Sequence, residues 1–397
     1  MALLSRLAPW CARAGRPLIA FVVDHRLHPD SAAWSRFAAD AAAAAGARAV
    51  VLSWDGPKPA TGLPAAARQA RHRLIAAAGR EAGVSIIALA HTADDVLESE
   101  HMRGEGTPIG RLKEWSPSPV WPEGRGVFLL RPLLSASREA LRERLKALGG
   151  RWLDDPANVD PRYARVRARR SLESSGSSGD LPHFLAGTPG FLPESLPRSD
   201  GFGALQGALR TWPIAALGAA LACVSGCETP VRGERLRRLA ARLASSGPVA
   251  VTLGGCRVSG DGHLVDIVRE PGEYARGGAP ELRLGAGDVG VWDGRFLVQA
   301  AGTPVTIRPL QGLQRCLSPE AKGGLAKLPP RWRPTLPAVV LDDGRVTCPL
   351  LEPGPVAARN LVGDRLLAAL GGVPDEAALR RARARMACLP DGPYLAP

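Results

Sequence analysis

Lysine is nearly missing from this chain. Only Lys58, Lys113, Lys146, Lys322 and Lys327 stand among its 51 basic residues; the others are arginine. Such a bias is typical of GC-rich coding, so arginine abundance alone is weak evidence of function. The excess over 38 acidic residues still gives a formal charge of +13, which favours a polyanionic partner such as nucleic acid. Long apolar runs are missing too. No stretch nears the ~18 residues a membrane span needs, and residues 1–12 lack the basic start and cleavage site of a secretory signal. The seven cysteines are scattered through 397 residues, which suggests reduced thiols in a cytoplasm rather than a disulfide framework. Cys223 and Cys227 have no His or second Cys pair nearby, so zinc and iron–sulfur sites are not expected. No G-x-x-x-x-G-K-[ST] loop, convincing G-x-G-x-x-G or nucleophile elbow is present. With 45% hydrophobic and 22% charged residues the chain is globular, and its length predicts two or three domains.

Short apolar runs alternate with helical ones over the first 170 residues. Pro17–Val23, Ala47–Trp54, Val84–Ala90 and Val127–Leu130 read as strands. Met1–Ala14, Ser31–Ala45, Pro64–Ala78, Ala93–Arg103 and Ser137–Leu148 read as helices, with Pro64 in a first turn and Ser137 as a cap. Apolar strands alternating with helices predict an α/β domain with a parallel sheet covered on both faces. Residues 171–201, with Ser-Ser-Gly-Ser-Ser-Gly and four prolines, read as a linker. Residues 202–397 read as an α+β region. Helices are expected at Ala204–Ala222, Arg232–Ser245 and Ala358–Leu370, and hairpins at Asp261-Gly262, Asp293-Gly294 and Asp343-Gly344.

Ligands of open α/β sheets bind beyond the carboxyl ends of the strands, and three polar groups fall there. The first is Asp24-His25-Arg26-Leu27-His28-Pro29-Asp30-Ser31, in which Asp30 or Ser31 is also suited to cap the next helix. The second runs from His91 to Ser99 and carries Asp94, Asp95 and Glu98. Asp94 and Glu98 are four apart, as are His91 and Asp95, so each pair shares a side if the helix starts early. First-turn acids answer a helix dipole, which accounts for one or two carboxylates but not for three beside a strand-end His. Such a cluster suits Mg²⁺ or an ammonium group. The third is Trp152-Leu153-Asp154-Asp155-Pro156-Ala157-Asn158, followed by Arg162, Arg165, Arg167, Arg169 and Arg170. Guanidinium groups pair with phosphate, and a solvated helix face explains that run as well. Arg68 and Arg71 share a face of the helix after the second strand.

These groups together resemble the bacterial tRNA(Ile)-lysidine synthetase family of the PP-loop ATP pyrophosphatase superfamily. Asp24–Ser31 looks like its D-H-G-L-x-P-x-S. Ala66-Ala67-Arg68-Gln69-Ala70-Arg71-His72 looks like A-A-R-x-x-R-Y, and His91–Glu98 like H-x-x-D-D-x-x-E, with Val96 where Gln is common. Arg131-Pro132-Leu133-Leu134 with Arg138 looks like R-P-L-L-x-x-x-R, and Asp154–Asn158 like D-D-P-S-N. Five blocks in one order cover residues 1–170. The resemblance implies a Rossmann-like (adenine nucleotide alpha hydrolase-like) sheet domain and a ligase. By that resemblance, ATP is expected to adenylate the wobble cytidine of the CAU-anticodon isoleucine tRNA, and free L-lysine to displace AMP and form lysidine. It implies catalytic roles for His91, Asp94, Asp95 and Glu98, with Asp94 and Asp95 as Mg²⁺ candidates. Asp24 and His25 are the ATP-binding candidates. Arg68, Arg71, Arg131, Asn158, Arg165 and Arg167 are the tRNA or substrate contacts. A homodimer is an admissible assembly, no membrane contact is expected, and a cytoplasmic location is.

The family's ATP loop, S-G-G-x-D-S, is absent. In the family it precedes a helix that often begins M-A-L-L, and this chain begins Met1-Ala2-Leu3-Leu4. The expectation is a sheet lacking its first strand, from a start truncated before Met1, with ATP use by the 397-residue form in question. The rival readings are another PP-loop tRNA-modifying ligase, such as a 2-thiocytidine synthetase, and a non-catalytic tRNA-binding remnant. Thiolases of that kind carry Cys pairs near the sheet, whereas Cys11 stands alone in the first 170 residues.

Overall fold

A computed structural model describes residues 1–107, 112, 115–118, 121, 123–154, 159–161, 164–174, 198–199, 201–228, 231, 233–245, 247–278 and 280–370. The chain divides into two compact units, Met1–Thr188 and Pro189–Pro397.

The first unit alternates helix and strand: α1 (Ala2–Arg13), β1 (Ile19–Asp24), α2 (Ser31–Ala44), β2 (Arg48–Ser53), α3 (Leu63–Glu81), β3 (Ile86–Ala88), α4 (Ala93–Gly104), β4 (Trp115–Pro117), β5 (Phe128–Leu130), α5 (Arg138–Ala147) and α6 (Ala164–Ser174). This is the mixed α/β, parallel-strand architecture the alternation predicts. β1 and β2 are parallel, in a register that sets Asp24 beside Ser53. β3 and β5 are parallel, with Ala88 beside Leu130, and β4 adds an antiparallel edge to β5. Among the described residues β1 is not hydrogen-bonded to β3, so the parallel strands form two sheets, β1–β2 and β3–β5–β4. One core joins them: Phe21, Val23 and Leu52 pack with Ile75, Ile87, Val127 and Leu129.

Local chemistry sets the helix starts. Pro64 sits in the first turn of α3, after Gly62 at φ +67°; a proline there gives up an N–H that would have no helical partner. Ser137 caps α5, its Oγ accepting from the Ala140 N–H at 3.2 Å. Asp30 occupies the cap position of α2 but makes no side-chain cap bond, so the capping expected of Asp30 or Ser31 is not made by either side chain.

The second unit holds β6 (Arg198–Ser199), β7 (Leu205–Gly207), α7 (Ile214–Ser225), α8 (Glu234–Ala244), β8 (Val249–Leu253), β9 (Cys256–Gly260), β10 (Val265–Arg269), α9 (Gly272–Gly277), β11 (Leu282–Leu284), β12 (Val289–Trp292), β13 (Phe296–Ala300), β14 (Val305–Pro309), α10 (Pro319–Ala326), β15 (Pro337–Val340), β16 (Val346–Thr347), β17 (Val356–Asn360) and α11 (Val362–Ala369). Its sheets run β6-β7-β10-β9-β8, β11-β14-β15-β16 and β12-β13-β17. Leu217, Leu221, Leu239 and Leu366 bury the helices against Val258 and Ile267 of the five-stranded sheet. All three Asp-Gly pairs join hairpin strands, and Asp293 takes φ +49° in its turn. Two expected helices start later than the sequence suggests, at Ile214 and Val362. Leu205–Gly207 pairs with β10, and Val356–Asn360 pairs with β13. Cross-strand pairing there outweighs an alanine-rich helix preference.

No helix among the described residues is long and apolar enough to cross a membrane. Most of residues 171–201 lies outside the described residues, although α6 continues to Ser174.

Candidate functional site

Parallel pairing delivers the polar residues to one end of the first unit. Asp24 closes β1, and its Oδ1 accepts the Arg26 N–H at 2.8 Å. That turn puts Arg26 at φ +52°, a left-handed conformation that strains a residue with a Cβ. Arg26 reaches across to β2, meeting Asp55 at 2.7 Å and Ser53 Oγ at 3.3 Å. His25 sets its edge against Trp54, centroids 5.9 Å apart, and Lys58 lies 4.0 Å over the same ring. The buried Nδ1 of His25 has no partner. Burial, then Arg71, then Lys58 hold its pKa below the usual value, against the pull of Asp24.

Beyond β3 stands His91, then Thr92 at the cap of α4. Asp95 Oδ2 accepts from the Thr92 N–H at 2.8 Å and from Thr92 Oγ1 at 3.0 Å, a reciprocal cap that fixes this carboxylate. The expected i, i+4 pairing of His91 with Asp95 on one helix face does not form as such, because the helix starts at Ala93. Asp94 Oδ2 accepts the Arg138 N–H at 2.7 Å. It thereby ties α4 to the start of α5, as does the Ala93 N–H on the Ala136 carbonyl at 3.0 Å. Glu98 lies one turn further in, 2% exposed. Its Oε1 accepts from Arg169 Nε at 2.9 Å and Arg138 Nη2 at 3.3 Å, while its buried Oε2 has no partner.

The arginine run is therefore more than a solvated face. α6 turns Arg169 onto Glu98 and Arg165 towards Asp95, at 3.8 Å. Arg167 and Arg170 instead donate to the carbonyls of Pro161 and Val159, each at 3.0 Å, which fastens the preceding turn. Asn158, with Asp155 and Arg162, lies outside the described residues.

Arg131 follows β5, is 5% exposed, and donates to Ser116 Oγ at 3.3 Å. Arg68 and Arg71 approach it from α3. Burial and the charges of Arg71, Arg165 and Arg131 bring Arg68 down to about 10, leaving it protonated. Burial and Arg165 lower Arg71. His91 is pushed down to about 4 by burial first; Asp95 opposes the shift and the arginines reinforce it. Its imidazole is therefore neutral near pH 7, with Nδ1 unpartnered.

The structure thus brings Asp94, Asp95, Glu98, His91, Arg68, Arg71, Arg131 and Arg165 together. Arg138 and Arg169, which hold the acidic helix, gain their place only in three dimensions. Among the described residues no three His, Cys, Asp or Glu side chains are placed to hold a metal ion. A full protein shell is therefore not formed. One oxygen each of Asp94 and Asp95 stays outside the capping bonds, which fits Mg²⁺ held by one or two carboxylates and substrate phosphates.

The chain is similar to several known proteins. Residues 1–175 match the PP-loop domain. The tRNA(Ile)-lysidine synthase of Caulobacter vibrioides is 43% identical over 381 residues, covering 94% of this chain and 91% of that protein. Its counterpart in Hyphomonas neptunium is 35% identical, covering 71% and 82%. That of Rhizobium meliloti is 32% identical, covering 74% and 69%.

Proposed function

The chain belongs to the tRNA(Ile)-lysidine synthase family, as a PP-loop tRNA-modifying ligase, and from this premise we propose that it joins free lysine to the wobble cytidine of the CAU-anticodon isoleucine tRNA. In the first step the cytosine oxygen attacks the α-phosphorus of ATP and pyrophosphate leaves. In the second the ε-amine of lysine attacks the activated ring carbon, and AMP departs with the oxygen. An activated pyrimidine needs little covalent help, so positioning and charge neutralisation carry the catalysis.

The observation that carries this reading is the half-used carboxylate of Glu98. Two arginines satisfy Oε1, and Oε2 remains buried without a partner. A buried acceptor of that kind suits an ammonium group that enters with substrate. We assign the lysine amine to Glu98 with Asp95. Asp94 and Asp95 would hold Mg²⁺, whose chemistry there is to neutralise the phosphates of ATP. His91, neutral beside them, offers an acceptor for a proton of the attacking amine. Asp24 and His25 line the ATP side, beside Trp54. Arg68, Arg71, Arg131, Arg165 and Arg167, with Asn158, serve the phosphates of tRNA and nucleotide.

The test is direct. Unmodified transcript of that tRNA is incubated with ATP and lysine, and its nucleosides are analysed by mass spectrometry. Lysidine is expected, and it is expected to vanish with Glu98→Ala. A product carrying sulfur would move the chain to another PP-loop ligase class. Tight tRNA binding without any product would favour the non-catalytic reading.

A further inference from the structure

The buried stripe of α3 changes character half-way along. Its later half presents Ile75, Ala76 and Gly79 to the interior, with Ile75 in the core beside Ile87 and Leu129. One and two turns earlier, at the three- and four-residue spacing of a helix face, the same stripe carries His72, Arg71 and Arg68. These meet the strand-end residues. Arg68 lies within electrostatic reach of Arg131 and Arg165, and His72 within reach of Arg131 and His91.

Two features of this cluster need a ligand to explain them. His72 is 3% exposed, yet neither Nδ1 nor Nε2 has a hydrogen-bond partner. A histidine packed only as core would lose both hydrogen bonds to water and gain none. The arginines are equally unbalanced. Besides burial, Arg68 is held down by the charges of Arg71, Arg165 and Arg131, and Arg71 by that of Arg165. Arg165 leans on an acid, Asp95, at 3.8 Å. Repulsion of this kind is relieved by an anion.

We propose that Arg68, Arg71, Arg131 and Arg165, with the buried His72 beside them, form a partly buried site for a phosphate oxyanion. Planar guanidinium forks match phosphate oxygens two at a time, and the imidazole adds a single donor. Burial first, then Arg68, Arg71, Arg131 and His91, hold the His72 pKa at about 3. It therefore enters as a neutral hydrogen-bond donor, not as a fifth cation. The phosphate comes from the nucleotide's phosphate chain or from the RNA backbone. The inference rests on the proposed ligation only for that source.

Calorimetry on the full chain separates the sources, with inorganic pyrophosphate in one arm and a hydroxyl-ended RNA hexamer in the other. Pyrophosphate is expected to bind. Arg68→Gln and His72→Phe should each weaken it about tenfold or more, because each removes a phosphate donor. His72→Gln keeps a donor. The exposed Arg235→Gln on α8 should leave affinity within about twofold, as a solvent-screened charge. Binding of the hexamer with the same sensitivities, in place of pyrophosphate, supports the site and assigns it to the RNA backbone. Binding of neither, or equal loss in Arg235→Gln, overturns it. Should His72→Phe fail to fold, Arg68→Gln carries the test through the rise in Tm that pyrophosphate gives the wild type. Pyrophosphate binding without lysidine formation would sink the ligation and leave this site standing. Lysidine formation by a chain that binds neither probe would do the reverse.

Discussion

Arg169 Nε donates to Glu98 Oε1 at 2.9 Å across 71 residues of sequence. The contact joins a basic helix to an acidic one at the strand ends, and it gives the first prediction. Glu98 is buried, and removing a partner from a buried ion pair leaves its charge poorly compensated. A fully buried pair loses roughly 3–5 kcal/mol in this way. Arg138 still answers Glu98, so Arg169→Ala should cost about 2 kcal/mol. Arg170→Ala, whose guanidinium serves the Val159 carbonyl at the surface, should change stability by less than about 0.5 kcal/mol. Urea denaturation of the two variants decides it, and equal losses would show that the pair does not anchor α6.

A second prediction concerns Arg26, where the family pattern has glycine. Its φ of +52° strains any residue with a Cβ by about 1–2 kcal/mol. The exposed ion pair with Asp55 returns little of this, since such pairs contribute about 0–1 kcal/mol. Arg26→Gly should therefore be more stable than Arg26→Ala by about 1 kcal/mol, after allowing for the freer unfolded chain of glycine. An alanine variant as stable as the glycine variant would show that the turn carries no strain.

His72 predicts an acid limb in the stability profile. Its pKa is about 3 in the folded chain against an ordinary 6.5. The unfolded chain thus takes up this proton first as pH falls below 6.5. The stability tied to neutral His72 is complete above that pH and is lost progressively towards pH 3. Replacement with glutamine, which does not titrate, should flatten the slope between pH 6.5 and 4 by at most about 1.4 kcal/mol per pH unit. Denaturation midpoints across that range measure it, and parallel slopes in both proteins would refute it.

Parts of this site were legible in the chain and parts were not, for physical reasons. Strand–helix alternation is a local signal, so β1, β2 and the helix between them could be read directly. The acidic run of α4 was visible for the same reason. Thr92-Ala93-Asp94-Asp95 also carried a near capping-box pattern, which explains Asp95 as a cap before it explains it as a ligand. β4 stayed hidden because Trp115-Ser116-Pro117 is three residues long and ends in proline. β7 and β17 stayed hidden because their compositions favour helix, and only their partners across the sheet decide otherwise. His72 gives no sequence signal at all. A single histidine within a helix becomes informative only when its burial and its unpartnered nitrogens are seen.

The double duty of Asp95 can be separated experimentally. One oxygen caps α4 through Thr92; the other faces Arg165 and Arg138 at 3.8 and 4.0 Å. Asparagine keeps a carbonyl oxygen able to cap and removes the charge. Asp95→Asn should hold stability within about 0.5 kcal/mol, since the amide oxygen can still accept from Thr92 at the start of the helix. Its rate of lysidine formation should nevertheless fall by about 100-fold or more, as expected when a charged group aimed at the reacting centre is lost. Thr92→Ala is the mirror case. It removes one side-chain partner of Asp95 and should cost about 1 kcal/mol, while the carboxylate and most of the activity remain. Denaturation and initial rates on the two variants give a crossed pattern if both roles are real. A rate loss in Thr92→Ala as large as that in Asp95→Asn, with the fold intact, would instead mean that the cap orients the carboxylate tightly enough for chemistry to depend on it.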